Sequence, residues 1–231
     1  LKRGYGALVT RPKFALLNPE LTYSLPAYQT ACGVADMVAH IMERYFTNEP
    51  DVGFSDQLCE AALRSIMQEA PVAIAEPENY GARANIMWAG TVAHNDLLGM
   101  GRSEDWASHD IEHELSALYD IAHGAGLAIV FPAWMKYVYK TNTLRFVQFA
   151  VRVFNVEQDF HNPERTILEG IRRLEEFFQR IGLPTSLADA NIPTDRFAEM
   201  AETATKQDTV KLGGLLPLGQ KDVQAIYELC K

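Results

Sequence analysis

Six histidines are spread unevenly along the chain, at His40, His94, His109, His113, His123 and His161, and three of them fall within fifteen residues. Imidazole and carboxylate groups bind divalent ions and move protons near neutral pH, so their spacing is the first thing to read. Asp36 and His40 are four apart in a helical stretch. Their side chains therefore share one face, roughly 6 Å apart at Cβ and within reach of one ion. His109 and His113 repeat that spacing, and two ligands four apart on a helix are a familiar way to present a metal. On spacing alone Asp36 and His40 read equally well as an exposed ion pair, and His109 and His113 as helix-surface residues. The neighbourhood of Asp36 favours the metal: Cys32, Gly33, Val34, Ala35, Met37 and Val38 surround it, and an unpartnered carboxylate is costly among apolar side chains.

His123 can join such a site only if the chain turns. One continuous helix over 109–123 would separate its ends by roughly 21 Å. Asp120-Ile121-Ala122-His123-Gly124 offers the turn, with His123 at the start of the next helix. Spacing leaves His109 and His113 both open as the third ligand. His94, before Asn95-Asp96, is expected as a hydrogen-bonded core histidine rather than a pocket residue, and His161 as a surface loop residue.

The elements that must hold these groups are helical. Apolar periodicity predicts helices at 28–46, 56–75, 80–98, 106–119, 126–139, 143–154, 163–181, 194–204 and 221–230, with Gly and Pro between them. The third, rich in Ala, Met and Trp and nearly free of charge, is expected to be central and buried. Residues 13–18 (KFALLN) form the best strand candidate. The fold class is all-α, with one compact body and no solenoid period.

With 231 residues, 48% hydrophobic and 22% charged, the chain can bury a sizeable core. A net charge of -9 with no basic cluster argues against nucleic acid. Apolar runs such as 126–135 are too short to cross a bilayer. Cys32, Cys59 and Cys230, odd in number and widely spaced, read as buried thiols in a reducing, cytoplasmic compartment. The opening Leu1-Lys2-Arg3-Gly4, without an initiator Met, reads as a segment beginning mid-protein.

Two long motifs carry a resemblance. Asn18-Pro19, Leu25-Pro26 and Thr30-Ala31-Cys32-Gly33-Val34-Ala35-Asp36-Met37-Val38-Ala39-His40-Ile41-Met42-Glu43 resemble the first motif of the iron-containing (group III) alcohol dehydrogenases. Trp106-Ala107-Ser108-His109-Asp110-Ile111-Glu112-His113-Glu114-Leu115-Ser116-Ala117, continuing to Ile121-Ala122-His123-Gly124-Ala125-Gly126, resembles the second. IEHELSALYDIAHG and GGLLPLGQKDVQAIY look most like the butanol dehydrogenase branch. The family usually has an aspartate where this chain has Asn18, a change that touches a turn.

The resemblance implies a ligand set of Asp36, His40, His109 and His123 around Fe(II) or Zn(II), and leaves His113 near nicotinamide and substrate as a proton relay. It implies that Lys2 and Leu21 face the cofactor, NAD(H) or NADP(H). No G-x-G-x-x-G fingerprint occurs in the chain, so the dinucleotide domain is expected upstream, with residues 1–20 as its remnant or linker and 21–231 as the helical metal-binding domain. The expected activity is oxidation of small primary alcohols and reduction of aldehydes, with the segment alone nearly inactive. A homo-oligomer is expected. The rivals are an HD-type phosphohydrolase using Asp110 as a ligand, a zinc-dependent lyase like dehydroquinate synthase, and an oligomerisation module without catalysis.

Overall fold

The computed structural model describes residues 7–231. Among them the elements are helical: α1 (Ala27–Tyr45), α2 (Gly53–Ala75), α3 (Tyr80–His94), α4 (Ala107–Tyr119), α5 (His123–Val138), α6 (Thr143–Phe154), α7 (Pro163–Arg180), α8 (Phe197–Ala204) and α9 (Gln220–Leu229). Short 3-10 turns stand at Pro19–Thr22 and Leu97–Gly99, and one antiparallel bridge joins Leu212 to Leu218.

The strand expected at 13–18 is irregular, and all six of its residues are exposed. A strand is held by a neighbouring ladder, and no described strand stands beside it. Asn18 starts the next turn, its Oδ1 accepting from the Glu20 amide at 3.1 Å.

The centre of the fold is α5 rather than α3. Residues 124–135 of α5 are all buried, and it packs against α1, α4, α7 and α9. α3 lies on α1 and α2 through small residues such as Ala82, Ala89 and Ala93, while Trp88 on its other side is 62% exposed. Its Ala-rich composition reflects close packing on one face. It also ends at His94, four residues earlier than the periodicity predicts, because Asp96 adopts a left-handed backbone (φ 65) that helical hydrogen bonding does not allow.

α1 and α5 approach unusually closely. A Cβ on Gly124 would stand 1.9 Å from the Cys32 carbonyl oxygen, so only glycine lets the start of α5 lie against the backbone of α1. That contact places His123, the residue before Gly124, opposite Asp36.

Candidate metal centre

Three helices meet at the cluster. α1 presents Asp36 and His40 from successive turns. α4 presents His109 from its first turn, and that turn is fixed by two acids. The Asp105 carboxylate accepts from the Ala107 amide at 2.9 Å, and Glu43 of α1 accepts from the amides of Trp106 (2.8 Å) and His109 (3.3 Å). These bonds satisfy donors that a helix start leaves open. At the other end of α4, Asp120 is left-handed (φ 53), and the chain reverses so that α5 begins at His123. The reversal that His123 requires is therefore present.

Asp36 Oδ1 lies 3.7 Å from His40 Nε2, 3.9 Å from His109 Nε2 and 3.5 Å from His123 Nε2. These separations are too long for hydrogen bonds with Nε2 donors. Asp36 Oδ1 and His109 Nε2 are buried and lack any hydrogen-bond partner. Four donor atoms around one divalent ion at about 2.1 Å would be separated by about 3.4 Å in tetrahedral geometry. The residues fit an ion of that kind.

Two buried carboxylates orient the His109 and His123 rings. His109 Nδ1 lies 2.7 Å from Glu43 Oε1, and His123 Nδ1 contacts Glu112 Oε2. Both glutamates are fully buried. Carboxylates placed behind imidazoles in this way fix the ring and its tautomer with Nε2 facing inward. Room for Glu112 comes from Gly126, where a Cβ would stand 2.3 Å from its Oε1.

The family model described as "Fe-containing alcohol dehydrogenase family, C-terminal" matches residues 30–230. The chain belongs to the iron-containing alcohol dehydrogenase family. It is 40% identical over 227 residues to "Probable NADH-dependent butanol dehydrogenase 1" of Bacillus subtilis (strain 168), covering 98% of this chain and 58% of that protein. It is 35% identical over 230 residues to "NADPH-dependent aldehyde reductase YqhD" of Escherichia coli (strain K12), covering 100% of this chain and 59% of the relative. Among solved structures, NADH-dependent butanol dehydrogenase A from Thermotoga maritima superposes with a TM-score of 0.85 at 40% identity, over 92% of this chain and 55% of that one. The chain thus spans somewhat more than half the length of these relatives.

In this iron-type alcohol dehydrogenase domain, burial lowers His40 to about 3 and His109 to about 4. Both rings are therefore neutral at pH 7, with a lone pair to offer. Burial opposes ionisation of Asp36, but the His94 hydrogen bond and the surrounding histidines outweigh it and hold the carboxyl below its ordinary range. Glu43 is pushed up to about 8 by burial, with the Trp106 and His109 amides pulling the other way.

The remaining expected residues fall as follows. His113 lies beyond His123, ring centroids 5.3 Å apart, and is partly buried. Leu21 is 77% exposed on the Pro19–Thr22 turn, Lys2 lies outside the described residues, and His161 is exposed in a loop. Asp110 is exposed and joins none of the groupings of potential ligand atoms, which removes the structural support for the phosphohydrolase reading. His94 differs from expectation. It is not in the core: its side chain is 40% exposed, its ring lies tilted against His40 with centroids 4.0 Å apart, and its Nε2 lies 3.2 Å from Asp36 Oδ2. Glu43 and Glu112 have roles that spacing does not assign: each follows a cluster histidine by three residues, which puts it near that face of its helix, but each contacts a histidine of another helix.

Proposed function

We propose that Asp36, His40, His109 and His123 hold one divalent ion, Fe(II) or Zn(II), and that the complete protein interconverts small primary alcohols and aldehydes with NADH or NADPH. The observation that carries this reading is Asp36 Oδ1, buried without a hydrogen bond among three inward-facing imidazole nitrogens. One carboxylate against a 2+ ion leaves net positive charge, so the ion when bound supplies Lewis-acid polarisation of an alcohol or carbonyl oxygen. The donor set suits iron and zinc alike.

The chain's own residues prepare that chemistry. Glu43 and Glu112 hold the His109 and His123 rings so that Nε2 faces inward. Neutral His40 and His109 bind without first losing a proton. We assign to His113 the passage of a proton between the substrate oxygen and solvent, a reading that its partial exposure beside His123 supports. Hydride exchange needs a nicotinamide, because side chains do not accept hydride. We assign its binding chiefly to an upstream domain, with residues 1–20 as the connection, 21–231 as the metal-binding domain, and Lys2 and Leu21 facing the cofactor. The relatives named for NADH and for NADPH support either form. Free, buried cysteines agree with a cytoplasmic setting, and no described helix is long and apolar enough to cross a membrane.

The test is metal analysis of the full-length protein and its His123→Ala variant. One ion per chain is expected in the first and loss in the second; equal content in both would sink the site. In His113→Gln the ion should remain while turnover and its pH profile change. Loss of the ion there would show that the roles of His109 and His113 are reversed.

A further inference from the structure

Asp36 has two oxygens in different surroundings. Oδ1 faces the three Nε2 atoms and makes no hydrogen bond. Oδ2 lies 3.2 Å from Nε2 of His94. The other ring nitrogen of His94, Nδ1, lies 2.8 Å from the Gly90 carbonyl oxygen one turn back in α3. A carboxylate only accepts, so the contact to Oδ2 is made by an N–H at Nε2, while Nδ1 rests against the Gly90 carbonyl. His94 is thus a strut running from the backbone of α3 to the carboxylate on α1.

The strut is braced on both sides. The His94 ring lies against His40, centroids 4.0 Å apart. Buried Arg44 of α1 donates to the His40 carbonyl at 2.8 Å and reaches Asp96, two residues beyond His94, at 3.4 Å. The end of α3 is therefore tied to the face of α1 that carries the cluster.

We propose that His94 is a positioning residue that makes Asp36 a one-oxygen ligand, by holding Oδ2 away from the ion. The inference rests on the metal-site reading above. Carboxylates bind ions through one oxygen or both, and the terminal torsion of aspartate is soft. Released from His94, Asp36 can rotate and chelate through both oxygens. The second oxygen would then fill the position that a catalytic site keeps open for substrate. Glu43 and Glu112 orient imidazoles; His94 does the converse, an imidazole orienting a carboxylate.

Cobalt(II) reports the difference, because its visible d–d absorption weakens as coordination number rises. The full-length protein is loaded with cobalt(II) chloride as wild type, His94→Phe, His94→Gln and His123→Ala. His94→Phe keeps a ring against His40 and removes the N–H that faces Oδ2; His94→Gln restores an N–H near the position of Nε2. The Phe variant is expected to hold one cobalt per chain with d–d absorption weakened several-fold and KM for the alcohol raised. The Gln variant should return both toward wild type. His94→Leu gives the same reading as Phe should the latter fold poorly. A Phe or Leu spectrum identical to wild type overturns the inference, as does a Gln variant no different from Phe. Loss of cobalt in His94→Phe equal to that in His123→Ala also overturns it, since His94 would then be a ligand. Failure of wild type to take up cobalt would instead remove the metal site itself, which separates the two failures.

Discussion

The carboxylate behind His123 should matter almost as much as the ring in front of it. Glu112 is fully buried, touches His123 Nδ1 and Ser116 Oγ, and sits in space left by Gly126. Glu112→Ala leaves the His123 ring free to turn or change tautomer. We expect metal affinity to fall about 10- to 100-fold, read by competition with a chromophoric chelator; unchanged affinity would show the contact to be incidental. Spacing made the shared face of Asp36 and His40 legible, since the two stand four apart on one helix; it left His109 and His113 open, and the resemblance chose between them. Glu112 was not legible, because its partner arrives from a different helix after a reversal that local spacing only permits. His94 was less legible still. Its position on Asp36 depends on where α3 stops and how it leans on α1, and neither follows from the identity of residues 94–96.

The α1–α5 crossing brings Asp36 and His123 together, and it allows two glycines to be compared. In Gly124→Ala the new methyl would stand 1.9 Å from the Cys32 carbonyl oxygen and 2.6 Å from its carbon. Backbone cannot yield as a side chain can, so the helices must separate. A loss of about 1–3 kcal/mol or more is expected, with reduced metal content because His123 moves with its helix. Gly33, inside α1, has nothing within 4 Å of an added Cβ; Gly33→Ala should be neutral or raise stability by about 0.5–1 kcal/mol. Urea midpoints for the two variants check the pair, and equal midpoints would deny the close approach. Most of the helices were legible from apolar period and punctuation; 143–154 has the bounds of α6. The ranking of helices by burial was not. A run of Ala and Met describes α3 lying close on one side, whereas α5 is buried all round because four other helices cover it. The KFALLN run shows the same limit, since apolar residues make a strand only where another strand stands beside them.

For the whole molecule, the absence of basic clusters, the free buried thiols and the helical class were readable from composition and period. The packing of α1, α4, α7 and α9 around α5 was not, because it depends on contacts between residues far apart in the chain. The cysteines offer a probe of whether the helices stand or fall together. Cys32 on α1, Cys59 on α2 and Cys230 just after α9 are all free and buried. Burial pushes the Cys59 and Cys230 thiols up to about 12, and it raises Cys32 against the opposing hydrogen bonds of Tyr28 and the Ala125 amide. Because the folded values lie above the ordinary thiol value of 9.0, neutral thiols contribute stability that is fully present below about pH 9 and lost as pH rises toward 12. At pH 8 the folded protein holds almost no thiolate at these positions, and thiolate is the form that iodoacetamide attacks. Labelling must then wait for opening of the fold. We expect mass spectrometry to find all three cysteines unmodified in the native protein over a period that modifies all three in urea. We also expect Cys59 and Cys230 to acquire label at one common rate in mild denaturant. Distinct rates at these two sites would mean that α2 and α9 open separately, and that the core around α5 is not a single cooperative unit.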